Sequence, residues 1–595
     1  MRSTPRLMLR AVRSTGHPSL PKLRVRPACP LCRLRHSLWN PPEELKQSKP
    51  MSSDQNLSAD VVIVGSGVAG SSIANELVRA GISVIVLEAG PRVDRQHFVE
   101  NFRNLENKPA YQGPFPSTPW APHPPNQMSP NKYLHTTGPD AEAYQQAYLR
   151  VLGGTTWHWA GCAWRYLPSD FELKSRYGQG RDWALTYDDL EPFYYQAEVM
   201  MGVCGPDPSV EDLGSPRKQP YPMEALPLSY AGQEFRKLIA EKTPWRIVHE
   251  PQARNTRPYD GRPTCEGHNN CMPICPIGAM YNGSYSVYHA EAAGAKFIPN
   301  AVVYKIERDA ANKKVTAVHY YDPDKGSHRV TGKYFVIAAH CIETAKLMLL
   351  SADEQSPDGV ANSSGHVGRN MMDHTGVQVT FISGDKALWP GRGPLETNVI
   401  DNFRDGDWRN ERGAYLVHMV DDNQVDFATQ LAIAKGYVGR ELEEQIRYLA
   451  SHTVRLFSHN EALPDPENRL TLSKTEKDVL GIPHPEVYYK LPQYTVRSCD
   501  HTRSVFKQLI HLMHGTDEEW TPGYFPQDHP AGSTIMGVDP KDSVVDGHCR
   551  THDHENLFIA SSSVFSTVGT GNITLTVAAI ALRVADTLKK ELLHG

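Results

Sequence analysis

The strongest constraint on the fold of this chain is a strand, a glycine turn, a helix and a second strand that follow one another over residues 61–88. The apolar, β-branched run at 61–64 predicts a buried strand of a parallel sheet. A glycine turn at 65–70 comes next, and a helical pattern ending at Gly81 leads to a second apolar run at 83–88. This βαβ unit predicts an α/β fold with a Rossmann-like domain, which binds a dinucleotide at its first turn.

Three glycines and one acid in this unit have separate mechanical tasks. Gly65 permits the tight turn, Gly67 lets the backbone approach a pyrophosphate, and Gly70 lets the helix pack closely on the strand. The free N–H groups of the helix N-terminus favour the phosphates. Glu88 ends the second strand, where its carboxylate accepts hydrogen bonds from ribose hydroxyls and repels a 2′-phosphate. The unit therefore predicts a dinucleotide other than NADP.

Composition excludes several other classes of protein. Apolar residues make up 40% and charged residues 22% of the chain, which are globular proportions. Ten cysteines in 595 residues cannot form a disulfide scaffold, and a net charge of −5 gives no basic field for nucleic acid. No apolar run approaches the ~20 residues that a membrane helix needs. We therefore expect no nucleic-acid partner and no transmembrane helix.

The first 50 residues differ from the rest because they hold eleven Lys and Arg against two Glu. They lack the apolar core of a secretory signal, so no signal peptide is expected. We interpret residues 1–57 as a disordered N-terminal extension. This extension is consistent with translation from upstream of a true start at Met51, and a transit-like peptide is the alternative.

A loop at 265–276 carries three cysteines with the spacing C-x5-C-x3-C, namely Cys265, Cys271 and Cys275. Thiolates that converge from one loop are suitable ligands for an iron–sulfur cluster. A zinc ion that also binds His268, and thiols that are free or paired in a disulfide, are the two alternatives that the residues leave open.

Further motifs resemble the glucose-methanol-choline (GMC) family of FAD oxidoreductases over residues 58–592. They are Glu-Ala-Gly at 88–90, Val-Gly-Arg-Asn at 367–370 with Asp-His at 373–374, and a C-terminal pattern that contains His529 and Asn572. The resemblance implies FAD, with an FAD-binding domain assembled from the discontinuous segments 58–375 and 520–595. It also implies an α+β substrate-binding domain inserted at 376–519, and an irregular arm near 105–140 is expected in the first segment.

The same resemblance implies a catalytic pair. Oxidation of an alcohol by a flavin requires a base within hydrogen-bond reach of the hydroxyl, and histidine suits this role because its pKa lies near neutrality. The family's catalytic histidine falls on His529 and its partner on Asn572, which we expect to orient the substrate oxygen. Without the resemblance, the residues favour a histidine that merely caps a loop.

Four more positions are expected to bind the flavin. Gly153 and Gly154 form a turn before His158, and Val303 lies in a strand predicted over 302–306. Because sugar oxidases of the family have the same turn spacing, the resemblance implies a covalent bond between His158 and the flavin 8α-methyl group. A histidine packed in an aromatic turn is the alternative.

Within the family, residues 150–159 and 271–283 resemble the flavoprotein subunits of bacterial membrane-bound sugar and sugar-acid dehydrogenases, the gluconate 2-dehydrogenase group above all. That resemblance implies a [3Fe–4S] cluster on the three cysteines. It also implies a small subunit that bears the export signal and a multihaem cytochrome c subunit as electron acceptor. The complex would lie at the periplasmic face of the bacterial inner membrane, to which this chain would attach only through its partners.

The substrate inferred from this resemblance is D-gluconate, oxidised to 2-dehydro-D-gluconate. The alternatives in the same group are 2-ketogluconate, sorbitol and fructose. Two further hypotheses are a sugar oxidase that forms hydrogen peroxide and a flavoprotein redox sensor in which His529 is incidental.

Overall fold

The computed structural model describes residues 57–594 except 106–114, 116, 125–132, 143, 385 and 392. The predicted N-terminal extension lies outside the described residues apart from Leu57, and much of the predicted arm near 105–140 also lies outside them. Elements are numbered in chain order.

The helices contain between 4 and 21 residues. They are α1 (Val68–Arg79), α2 (Arg95–Asn104), α3 (Pro168–Phe171), α4 (Leu173–Tyr177), α5 (Tyr187–Met201), α6 (Tyr230–Lys242), α7 (Gly283–Ala292), α8 (Cys341–Leu350), α9 (Val425–Ala434), α10 (Gly439–His452), α11 (Gln493–Leu512) and α12 (Thr574–His594).

The strands form four sheets among the described residues. They are β1 (Leu57–Val64), β2 (Val84–Leu87), β3 (His135–Thr136), β4 (Cys204–Gly205), β5 (Met223–Glu224), β6 (Ile247–His249), β7 (Lys296–Ile298), β8 (Val302–Arg308), β9 (Val315–Tyr321), β10 (Ser327–Ile337), β11 (Thr375–Gly376), β12 (Gln378–Ile382), β13 (Asn398–Ile400), β14 (Tyr415–Val420), β15 (Thr453–Asn460), β16 (Arg469–Lys477), β17 (Pro483–Tyr488), β18 (Thr516–Trp520), β19 (Phe525–Pro526) and β20 (Leu557–Ile559).

The first sheet is the Rossmann-like sheet that the sequence predicts. Its order is β7-β2-β1-β10-β9-β8, and β20 pairs with β10. Strands β7, β2, β1, β10 and β20 run parallel, whereas β9 pairs antiparallel with both β10 and β8. The apolar residues 61–64 are buried at its centre, as the continuous β-branched run predicts. The expected α/β fold is therefore confirmed.

The domain built on the first sheet is assembled from distant parts of the chain. Helix α12, at the C-terminal end, packs against α1 of the first βαβ unit and against α5. Strand β20, also from the C-terminal region, extends the sheet beside β10. These contacts bring the loop before α12 to the carboxyl ends of the parallel strands, which is where ligands of such sheets bind.

The second large sheet is antiparallel and lies mainly in the middle of the chain. Its order is β18-β12-β15-β14-β13-β6, with β11 and β19 at one corner. Helix α11 packs on β15, and the two contribute Val454, Leu456, Phe506 and Leu509 to a separate apolar core. Strands β6 and β19 join this sheet from outside residues 376–519. The predicted boundaries of the substrate-binding domain, residues 376 and 519, stay a prediction.

In the described part of the chain, no helix combines the length and the apolar character needed to span a bilayer.

Candidate flavin and substrate site

A cavity of about 550 Å³ runs between the two large sheets. At one end it is lined by the glycine turn after β1 and by Glu88. At the other end it is lined by His529, Asn572 and side chains of β12 and β15. One continuous space therefore joins the predicted dinucleotide site to the predicted catalytic pair.

The glycine turn leaves no room for side chains at its closest approaches. Gly65 has φ = +100°, and a Cβ atom there would lie 2.7 Å from the carbonyl oxygen of Ala338 in the strand-to-helix turn after β10. A Cβ atom on Gly70 would lie 1.9 Å from the carbonyl oxygen of Gly65. Gly67 lines the cavity between them. This cradle of bare backbone suits a pyrophosphate group.

Glu88 is buried at the end of β2 and joins two turns. Its carboxylate accepts hydrogen bonds from the Ser66 N–H (3.1 Å), the Ser66 hydroxyl (2.6 Å) and the Gly90 N–H (3.0 Å). The Ser66 hydroxyl in turn accepts a bond from the Gly153 N–H (3.1 Å). Burial raises the pKa of Glu88, which these hydrogen bonds oppose. The carboxylate lines the cavity at the position expected for ribose recognition.

The second predicted glycine turn packs directly on the first. Gly154 has φ = +66°, and a Cβ atom there would lie 2.8 Å from Cα of Gly67. A short 3₁₀ helix, Gly154–Trp157, leads to His158, which lines the cavity and is 4% exposed. Within the described residues its Nδ1 atom has no hydrogen-bond partner. Burial lowers the pKa of His158 to about 3, so the imidazole is neutral. Val303 of β8 also lines the cavity.

His529 and Asn572 meet at the other end of the cavity. The Nε2 atom of His529 lies 3.5 Å from the Asn572 side-chain nitrogen. The Nδ1 atom of His529 lies 2.9 Å from Nδ1 of His374, whose Nε2 atom lies 2.9 Å from the carbonyl oxygen of Gly569. The structure thus brings together the two predicted residues and adds His374 behind them.

The Gly569 carbonyl, at the end of this series of hydrogen bonds, determines which ring nitrogens of the two histidines carry protons. Because the Gly569 carbonyl only accepts, His374 must carry its proton on Nε2. Burial lowers the pKa of His374 to about 4, so this ring is neutral and its Nδ1 accepts. His529 therefore donates from Nδ1, and its Nε2 lone pair faces Asn572 and the cavity. Burial, followed by His374 and His418, lowers the pKa of His529 well below its usual value.

The loop that carries His529 is anchored by two aspartates. One carboxylate oxygen of Asp373 accepts from the His529 backbone N–H (2.8 Å), and the other accepts from the Gln146 side chain (2.8 Å). Asp528 has φ = +56° and accepts from the Ala147 N–H (2.7 Å). Burial raises the pKa of Asp373 to about 7. These contacts hold the His529 loop against residues 146 and 147.

The wall opposite the flavin end comes from the second sheet and is polar. Gln378 and Arg455 line it, and Arg455 forms an ion pair with Asp422. Glu396 also lines the cavity and accepts a contact from the Cys162 thiol at 2.9 Å. Burial, together with the nearby Glu250, raises the pKa of Glu396. The arginine of this wall is therefore paired with a carboxylate, and burial favours the neutral form of Glu396.

The cysteine loop lies beside the cavity. Cys271 is 8% exposed, Cys265 and Cys275 are half-buried, and the adjacent Met272 lines the cavity. Two sulfur ligands of one zinc ion lie at most about 4.6 Å apart, because each bond is about 2.3 Å long. The three sulfurs do not all lie within 4.8 Å of one another, since among the described residues only Cys162, Glu250 and Glu396 form such a group.

In this arrangement the three thiolates are too far apart to bind one zinc ion together. The surroundings also contain a buried cation, Arg254, whose Nε and Nη1 atoms have no hydrogen-bond partner among the described residues. An orphaned buried cation requires an anion nearby. The donor set and its electrostatics therefore fit an anionic thiolate-bound cluster.

Sequence reasoning missed three parts of this site. His374 belongs to the Asp-His pair at 373–374, which carried the family resemblance but was assigned no role. Arg254 and the polar side chains of β12 and β15 have no local pattern that marks them. Only their placement around the cavity and the cysteine loop reveals them.

A glycine cradle, a buried acid and a histidine at the carboxyl end of a parallel sheet fit an FAD-dependent oxidoreductase. Residues 60–98 match the family described as FAD dependent oxidoreductase, and residues 464–581 match GMC oxidoreductase. The chain belongs to the GMC oxidoreductase family, whose members include relatives that oxidise CH–OH groups of sugars.

Two relatives and one solved structure illustrate the similarity. The chain is 51% identical over 547 residues to the fructose dehydrogenase large subunit of Gluconobacter japonicus, covering 91% of this chain and 100% of that one. It is 24% identical to the gluconate 2-dehydrogenase flavoprotein of Pantoea cypripedii, covering 90% and 94%. The crystal structure of a formate oxidase has the same fold, with a TM-score of 0.63, 14% identity, and coverage of 90% and 99%.

Proposed function

We propose that this flavoprotein is the dehydrogenase subunit of a sugar-oxidising complex whose preferred substrate is a neutral ketose or polyol, D-fructose first. The observation that carries the substrate class is the charge of the cavity. Among its lining residues the arginines are Arg150 and Arg455, and each has a carboxylate partner, Glu343 at 3.9 Å and Asp422. A sugar acid would therefore find no uncompensated cation in the described part of the cavity.

The relatives support the same order of substrates. The relative that is 51% identical is named for fructose, whereas the one named for gluconate is 24% identical. D-Gluconate, the substrate inferred from sequence resemblance alone, remains the second candidate because Arg455 lies at the edge of the same wall. Its ion pair with Asp422 would have to open to bind a carboxylate.

The catalytic roles follow from the proton positions. His529 accepts the hydroxyl proton of the substrate at Nε2, because its Nδ1 proton is held by His374. Asn572 donates its side-chain N–H to the substrate oxygen and orients it, and its own carbonyl oxygen has no partner among the described residues. Bound FAD supplies the acceptor for the hydride that leaves the same carbon.

We also propose that electrons leave through a [3Fe–4S] cluster on Cys265, Cys271 and Cys275. The orphaned cation beside the loop, and Met272 between the loop and the cavity, support this exit. Because the relative from Gluconobacter japonicus is named a large subunit, smaller partners are expected. They would be the small subunit with the export signal and the multihaem cytochrome c, at the periplasmic face of the inner membrane.

The experiment is a substrate panel on the purified flavoprotein. Flavin bleaching is followed without oxygen, in turn with D-fructose, sorbitol, 2-ketogluconate and D-gluconate, and turnover is measured with an artificial electron acceptor. We expect kcat/KM to be highest for D-fructose and hydrogen peroxide formation in air to be slow. A preference for gluconate that Arg455→Gln abolishes would overturn the neutral-substrate proposal. Rapid peroxide formation would favour the oxidase hypothesis.

A further inference from the structure

Arg254 is a cation whose partner is missing from the described protein atoms. It is 1% exposed, and among the described residues only the Nη2 atom of its guanidinium forms hydrogen bonds, with the carbonyl oxygen of Ala160 and with the sulfur of Met280 at 3.2 Å. Its Nε and Nη1 atoms have none among the described residues, and no carboxylate there lies within 4.0 Å of it. Burial of a charge without a partner costs several kcal/mol in general.

One carboxylate in the same region does not remove this deficit. Glu396 interacts with Arg254, but burial and the neighbouring Glu250 raise the pKa of Glu396 and favour its neutral form. Burial also disfavours the charged form of Arg254, yet the surrounding thiols, Cys271 first and then Cys265 and Cys275, hold its pKa above the usual value. The three loop cysteines are therefore the neighbours of this guanidinium, and thiolates that bind a cluster would supply the missing negative charge.

The backbone explains why Arg254 stays beside this loop. The carbonyl oxygen of the next residue, Asn255, accepts a hydrogen bond from the Cys265 N–H at 2.8 Å. Arg254 itself pairs with Met280, just beyond the loop, in an antiparallel bridge. The guanidinium is thus held between the two ends of the cysteine segment, on the side that faces the cavity wall at Gly161.

We propose that Arg254 is the built-in counter-charge of the iron–sulfur cluster and that it raises the reduction potential of the cluster. This inference rests on the proposed cluster at the three cysteines. One electron from the reduced flavin adds one negative charge to the cluster. A neighbouring buried cation stabilises the reduced cluster more than the oxidised one, so it favours electron transfer out of the flavin site. Arg254 is a positioning and tuning residue that touches no reacting atom of the sugar.

The test compares the holoenzyme of the wild type with Arg254→Gln, Arg254→Met and Arg254→Lys. Arg257→Gln is the matched control, because Arg257 lies in the same segment but is exposed, with its guanidinium bound to the carbonyl oxygen of Pro222. Iron, acid-labile sulfide and bound FAD are assayed for each. The midpoint potential of the cluster is then measured by redox titration monitored by electron paramagnetic resonance.

We expect the two neutral variants to have a lower midpoint potential than the wild type and the Lys variant to shift less, with no shift in the control. Flavin reduction by substrate should change less than twofold, while cytochrome reduction should slow. An unchanged potential in a neutral variant that retains the cluster would refute the role of Arg254 and leave the cluster itself intact. Wild-type protein with FAD but without iron and sulfide would instead remove the proposed cluster, and Arg254's role with it.

If the neutral variants fold without FAD, the Lys variant carries the test. Because Lys keeps the charge, its holoenzyme should contain iron in the wild-type ratio to FAD. A Lys variant that retains FAD but holds less than half of that iron would contradict a role based on charge.

Discussion

Replacing His374 by Leu should reveal how the proton of the base is held. In the wild type two hydrogen bonds of 2.9 Å fix the Nδ1 proton of His529 and leave Nε2 free to act as base. Such a bond stabilises its preferred state by ~0.5–1.5 kcal/mol net. At about 1.4 kcal/mol per factor of ten, its loss should lower the reactive tautomer, and with it the rate of flavin reduction at neutral pH, by roughly 2- to 12-fold.

The same substitution should move the acidic limb of the pH–rate profile. His374 is one of the groups that lower the pKa of His529, after burial. Its removal raises that pKa, so the free base is lost at a higher pH as the solution is acidified. The acidic limb of the profile should therefore move to higher pH.

The assay is anaerobic stopped-flow measurement of flavin bleaching by the preferred sugar between pH 4 and 9. His374→Gln is the matched variant, since its amide supplies both a donor for Gly569 and an acceptor for His529, and its rate should lie between the Leu variant and the wild type. A loss of 100-fold or more in the Leu variant would mean that His374 contacts the reacting atoms directly. An unchanged rate, together with an unchanged acidic limb of the pH–rate profile, would refute the role of His374 in holding the Nδ1 proton of His529.

Four further outcomes are expected. His529→Ala should slow flavin reduction by on the order of 10²–10⁴, because it removes the proton acceptor. Asn572→Ala should slow it less, because it removes only a donor that orients the substrate. Near-normal flavin bleaching in the His529 variant would reject His529 as the base. FAD should stay with acid-precipitated wild-type protein and be released from His158→Ala, and fully extractable wild-type flavin would end the covalent proposal. Cys271→Ser should lose iron and cytochrome reduction but keep flavin reduction by substrate, and a variant fully competent with cytochrome would assign the thiol a structural role. Asp373 has a pKa of about 7 in the folded protein against 3.8 for the free side chain, so it contributes stability below pH 4 that is lost as the pH rises to 7. Between pH 4 and 7 the melting temperature of Asp373→Asn should therefore fall less than that of the wild type. Parallel curves of melting temperature against pH would contradict the raised pKa.

The sequence determined those features whose physical cause lies within a few neighbouring residues. The strand at 61–64, the turn at Gly65 and Gly70, and the acid at Glu88 are local, because backbone crowding and strand periodicity act between adjacent positions. The spacing of the three loop cysteines is also local, because all three lie within one short segment of the chain. These features defined the dinucleotide fold and restricted the chemistry of the loop before any tertiary contact was known.

The tertiary structure alone decided the relations between distant segments. His374 and His529 are 155 residues apart, and the pairing of β11 with β19 and of Met372 with Ala531 brings them into contact. Strand β6, at 247–249, joins the second sheet although it lies far outside 376–519. Arg254 lies beside the cysteine loop through long-range backbone pairing. The position of the His529 proton, the charge of the cavity and the place of Arg254 depend on contacts between distant segments. These contacts form only when the chain folds, so neighbouring residues in the sequence do not encode them.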